Sequence, residues 1–177
     1  MSLIVWLVLC GALATPPAPE PRRVALLVGV GYDPASGWSD LEGPPHDVTA
    51  MAAALGRWGF RDDEVRQLVG AEATREAIVA GIRDHLGSAG PDDVVVFYYS
   101  GHGQQVTDDD GDEPDGLDEA LVPADNRGTA DAGGHLRDDT LEALFADLSS
   151  EHVIVLVDAC HSGSVTRGEA TARRGPR

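Results

Sequence analysis

Two stretches of one design restrict the folds open to this chain. The later one, His152-Val153-Ile154-Val155-Leu156-Val157-Asp158-Ala159-Cys160-His161-Ser162-Gly163, runs five apolar residues without a break and then stops at an Asp, a Cys and a small, turn-prone tail. The earlier one, Asp93-Val94-Val95-Val96-Phe97-Tyr98-Tyr99-Ser100-Gly101-His102-Gly103, stops at a His between two glycines. Unbroken apolar runs of this length suit strands covered on both faces, as in a parallel sheet between helical layers. Parallel neighbours lie about 5 Å apart across the ladder, so placing the two side by side brings His102 and Cys160 to one rim.

The rest of the chain supplies the helices. Residues 23–30 read as a first buried strand, and Gly29-Val30-Gly31 lacks the third glycine of a dinucleotide loop. Asp47 is placed to cap a helix from Val48 to Trp58, and Val65 to Val69 forms a short strand. Thr74 opens a helix to about Ser88 with Ile78, Ile82 and Leu86 along one stripe. Ala120 to Pro123 is a short extended piece, and Gly133-Gly134 marks a turn. Asp139 and Glu142 resemble a capping box for a helix from Leu141 to Leu148. The order β-α-β-α-β-α-β predicts an α/β fold: a three-layer α-β-α sandwich around a mostly parallel sheet with right-handed crossovers. Ligands of such sheets bind beyond the carboxyl ends of the strands, where His102 and Cys160 fall.

Residues 1–14 read as a signal peptide, an apolar run closing on Ala12-Leu13-Ala14, although no Lys or Arg precedes it. Its removal places the protein outside the cytoplasm; retention makes it a membrane anchor. It also carries away Cys10, leaving Cys160 as the sole thiol. A Pro-rich lead-in (15–22), a catalytic domain (23–166) and a flexible Arg-rich tail (167–177) follow, the tail being an expected self-cleavage site. The formal charge of −17 excludes nucleic acid and anionic membranes as partners and points to basic ligands or cations. Eight carboxylates crowd the twelve residues from Asp108 to Glu119.

A thiolate is a nucleophile, and a neighbouring imidazole lowers its pKa or carries protons for it. A lone Cys can also be a small core residue, and a His a satisfied core polar group. Here each follows an apolar strand and is bracketed by small residues, which lets a peptide approach the backbone. Asp158 precedes Cys160 by two residues, as Ser100 precedes His102, so in extended strands each pair shares a face. A carboxylate there either recognises a cationic side chain or caps backbone N–H groups at the strand end.

Tyr99-Ser100-Gly101-His102-Gly103 and Asp158-Ala159-Cys160-His161-Ser162-Gly163, 58 residues apart from His to Cys, are similar to the motifs of metacaspases and their bacterial relatives in the caspase-like clan. Asp110 to Glu119, Leu121 to Asp125 and Leu136 to Asp139 extend the resemblance. It implies a caspase-like cysteine endopeptidase cleaving protein substrates after Arg or Lys, with Cys160 as nucleophile and His102 as general acid and base. It implies an oxyanion hole from the N–H groups of Gly103 and Cys160, and a pocket for the substrate cation lined by Asp47, Ser100 and Asp158. The chemistry requires no cofactor, but the resemblance implies Ca2+ as a stimulating ion on Asp118, Asp138 and Asp139. His46 stands where the family has Asn, and Arg167 where it often has a fourth calcium-binding Asp. The family continues into a smaller segment that adds strands, so a missing small-subunit segment is an expected partner for the strand ending at Cys160. Two other readings are a non-catalytic caspase-like binding module and a calcium-binding surface protein. A serine hydrolase is disfavoured by the absence of a Gly-x-Ser-x-Gly elbow.

Overall fold

A computed structural model describes residues 20–108, 110–111, 113–128 and 132–161. The expected signal peptide, most of the lead-in and the Arg-rich tail lie outside the described residues.

Four strands run parallel: β1 (Arg23–Gly29) pairs with β2 (Val65–Val69) on one edge and with β3 (Val94–Thr107) on the other. The strand β6 (His152–His161) covers the second edge of β3. Two short strands, β4 (Leu117–Leu121) and β5 (Leu136–Arg137), are antiparallel additions. The sheet is therefore mixed, parallel in its large part and antiparallel in its extension. The sequence pattern predicts β3 ending at Ser100, but it runs seven residues further because β4 supplies a partner once β1 has ended. His102 and Cys160 accordingly lie within long strands rather than after them.

Alternation along the strands divides the core in two. Val24, Leu26 and Val28 of β1, with Val95, Phe97 and Tyr99 of β3, pack against Ile78, Ile82, Leu86, Leu141 and Leu144. Ala25, Leu27, Val96 and Tyr98 point the other way and pack against Val48, Leu55 and Phe60. A helix α1 (Gly43–Arg57) covers the second face, and α2 (Arg75–Ala80) and α3 (Asp138–Ala146) supply the first. This is a helical layer on each side of one sheet.

The helix ends differ from expectation. Pro44 and Pro45 occupy the first positions of α1, where a missing N–H costs nothing, so the helix starts at Gly43 and Asp47 lies within it instead of capping it. Thr74 does cap α2, accepting from the Ala77 N–H at 3.2 Å. The helix then continues through a π turn (Gly81–His85) and a 3-10 turn (Leu86–Ser88). The capping box at Asp139 does not form. Arg137 is tied to β4 as part of β5, so α3 begins at once at Asp138, with Asp138 and Asp139 in its first turn. Carboxylates suit that end of a helix dipole.

Candidate active site

The parallel register of β3 and β6 pairs Ser100 with Asp158, Gly101 with Ala159, His102 with Cys160 and Gly103 with His161. Positions 102 and 160 are thus immediate neighbours across one ladder. Gly103 also pairs with Leu121 of β4, on the edge that β1 occupies further back.

Two tyrosine hydroxyls hold the backbone of His102 where β3 passes from β1 to β4. Val30 N–H donates to the Ser100 carbonyl at 3.0 Å, and Val122 N–H donates to the His102 carbonyl at 3.1 Å. Between these, the His102 N–H donates to Tyr32 Oη at 2.8 Å, and that hydroxyl donates to the Val122 carbonyl at 2.8 Å. Tyr99 Oη lies 2.9 Å from the carbonyls of both His102 and Val122 and accepts the Val122 N–H at 3.2 Å. Burial pushes both phenols up from their ordinary pKa, so both stay protonated and able to donate. Gly101 leaves the room they need: a Cβ there would stand 2.7 Å from Tyr99 Oη and 3.1 Å from Tyr32 Oη.

The imidazole of His102 is fixed separately. Its ring centroid lies 4.6 Å from that of Tyr32 and 5.4 Å from that of Trp38. Its Nε2 is 2.8 Å from the Ser39 carbonyl and 3.2 Å from Ser39 Oγ. A carbonyl can only accept, so Nε2 carries a proton and Nδ1 of the neutral ring is the acceptor.

A second cluster lies one step back along the strands. Ser100 Oγ donates to Asp47 Oδ2 of α1 at 3.0 Å, and Asp158 is opposite Ser100 in register. Tyr98 lies beside the same group. Burial pushes its hydroxyl up, the Ser100 side chain pulls it down, and the charges of Asp47 and Asp158 push it up again. Asp47, Ser100 and Asp158 therefore converge on one place, and Tyr98 belongs with them.

The acidic residues do not gather as Asp118, Asp138 and Asp139. Asp118 is buried and ion-paired with Arg137. Asp138 instead joins Glu113 and Glu119, each offering one carboxylate oxygen within 4.8 Å of the others. Desolvation first, then the charges of Asp139 and Glu119, push Asp138 up, while the Asp139 N–H partly offsets them. Glu113 is pushed up by desolvation and by the carboxylates of Glu119 and Asp138.

Tyr32, Trp38, Ser39, Tyr98 and Tyr99 were not singled out by the sequence pattern. Tyr98 and Tyr99 look like further apolar residues of a buried strand. Ser39 and Trp38 sit in a Gly- and Pro-rich loop 63 and 64 residues from His102 and carry no periodic signal.

Fold and site together define an α/β protein that brings an imidazole-bearing and a thiol-bearing position into register at the carboxyl edge of its sheet. Comparison with known proteins then identifies the family. The profile of the metacaspase, peptidase C14 domain matches residues 23–167. Metacaspase-1 of Schizosaccharomyces pombe is 33% identical over 152 residues, covering 81% of this chain and 35% of that protein. Metacaspase-1A of Aspergillus niger is 36% identical over 152 residues, covering 81% of this chain and 36% of that protein. A crystal structure of a protein from Geobacter sulfurreducens superposes with a TM-score of 0.64 at 37% identity, covering 82% of this chain and 53% of that one. The chain belongs to the metacaspase family of caspase-like cysteine peptidases and has its α/β fold. It spans about a third of the length of these curated relatives.

Proposed function

We propose that this chain forms the catalytic part of a cysteine endopeptidase that cleaves after Arg or Lys. The observation that carries the reading is the register of β3 on β6, with His102 opposite Cys160 and Ser100 opposite Asp158. Cys160 attacks the substrate carbonyl as thiolate, and the C–N bond breaks as protonated His102 gives its proton to the leaving amine. Water, deprotonated by the same imidazole, then attacks the thioester, restoring the thiol and releasing the new carboxylic acid. The N–H groups of Gly103 and Cys160 stabilise the oxyanion, a contribution of about 3 kcal/mol in comparable sites. The paired carboxylates Asp47 and Asp158 favour a cation at the residue before the scissile bond, and Ser100 orients Asp47.

Fluorogenic peptides ending in Arg, Lys or Asp test this reading. Turnover of the Arg and Lys peptides is expected, with loss of at least about a hundredfold in Cys160→Ala and His102→Ala. Preference for Asp would overturn the pocket assignment. No turnover, together with a Cys160 that reacts with iodoacetamide only near the ordinary thiol pKa of about 8.5, would leave a non-catalytic binding module.

Three further parts belong to the proposal. Calcium suits the all-oxygen set of Glu113, Glu119 and Asp138, and would supply charge neutralisation between β4 and α3 rather than a chemical step. Calorimetric titration with calcium should lose its heat in Glu119→Gln and keep it in Asp118→Asn. A small-subunit segment completes the sheet along β6, whose Ile154 and Val157 are each 47% exposed. The leader over residues 1–14 directs the protein out of the cytoplasm.

A further inference from the structure

The imidazole of His102 leans on Trp38, and what fixes Trp38 lies in a different part of the chain. Its Nε1–H donates to Asn126 Oδ1 at 2.8 Å. Asn126 is fully buried in the connection between β4 and β5, and the same oxygen accepts the Gly128 N–H at 3.0 Å. With Oδ1 taking two N–H groups, Nδ2 is the donor toward His135 Nδ1 at 3.3 Å, which fixes the orientation of the amide. The two loops also meet through their backbones. Gly37 has φ of 85° and Gly128 has φ of 101°, and a Cβ on Gly37 would stand 3.5 Å from the Gly128 Cα. Ser36 Oγ accepts the Trp38 N–H at 3.2 Å, so the turn that presents Trp38 also presents Ser39, the partner of His102 Nε2.

We propose that Asn126 and Trp38 are positioning residues: the indole N–H bond to Asn126 holds the loop that orients His102 in its Nε2–H form. This rests on the peptidase reading for its kinetic consequence, but the orientation of the imidazole can be read without turnover. The Ser39 carbonyl is on an exposed loop residue, and an exposed loop holds a ring only as firmly as its own anchor does. Tyr32 ties the start of this loop to the Val122 carbonyl, and at the turn that carries Ser39 the side-chain bond to a buried partner on another loop is the one from Trp38 to Asn126.

Trp38→Phe keeps an aromatic face against the imidazole and removes only the donor; Asn126→Ala removes the acceptor. Each should lower kcat on the Arg peptide roughly tenfold with KM within about twofold, the double variant being no worse than either alone. In a Cys160→Ala background at about pH 8.5, above the ordinary imidazole titration, nitrogen NMR should show His102 as the Nε2–H tautomer. The same measurement on Trp38→Phe should show both tautomers. A single Nε2–H tautomer in Trp38→Phe, or losses that multiply in the double variant, would overturn the proposal. If Asn126→Ala does not fold, Trp38→Phe decides alone. If the unaltered chain cleaves no peptide, the peptidase reading falls while the tautomer still decides the positioning role.

Discussion

Gly101 is the residue whose replacement the site tolerates least. The hydroxyls that crowd it are buried and bonded to the His102 backbone, so neither can swing away from a new methyl group. Gly101→Ala should destabilise the protein by about 1–3 kcal/mol, read by chemical denaturation, and lower kcat as His102 shifts. Asp138 offers a test of sign. Its carboxyl is raised in the folded protein, so the fold binds the proton more tightly than the unfolded chain does. That contribution is fully present below the ordinary carboxylate pKa and is lost as pH rises through the raised value. Asp138→Asn, measured without divalent cations, should therefore raise Tm at pH 7 and change it little at pH 3. Equal effects at the two pH values would refute this.

Among the elements, α1 is seated with its backbone close against the sheet. A Cβ on Gly29, the last residue of β1, would stand 2.5 Å from the Pro44 carbonyl oxygen and 2.7 Å from Val48 Cγ2. Backbone cannot yield as a side-chain tip does, so Gly29→Ala should push the start of α1 outward and carry Asp47 away from Ser100. The expected result is a several-fold rise in KM for Arg peptides, with a smaller change in kcat. The elements themselves were largely legible, because β1, β3 and β6 are apolar runs, the first two buried, and α2 opens a stripe at helical spacing. The missed ends share a cause, since each depends on a distant partner. β3 is prolonged by β4, and α3 starts at Asp138 because Arg137 is held in β5. The site divides the same way. His102, Cys160, Ser100 and Asp158 stand out because they close two similar stretches. Trp38, Ser39 and Tyr32 act through contacts across 63 to 90 residues, and Tyr99 reaches Val122 across 23, which no local pattern encodes.

For the whole molecule, charge is the dominant feature. A formal −17 over 177 residues, with Glu113, Glu119 and Asp138 in one place, makes the compact state repel itself. Raising monovalent salt from about 10 mM to about 150 mM shortens the screening length from roughly 30 Å to roughly 8 Å and should raise Tm. A flat or falling Tm would mean that ion pairs such as Arg137 with Asp118 outweigh the net repulsion. The handover along β3 has its own consequence at this scale. An amide bonded to another strand exchanges its hydrogen with solvent only when the ladder opens, whereas the amide of His102 is guarded by the phenol of Tyr32. Exposing it requires the Tyr32 side chain to leave its place, but no strand to part from its neighbour. In deuterated water it should label faster than its neighbours Tyr98 and Tyr99 on the same strand, a local clock set by a single side chain.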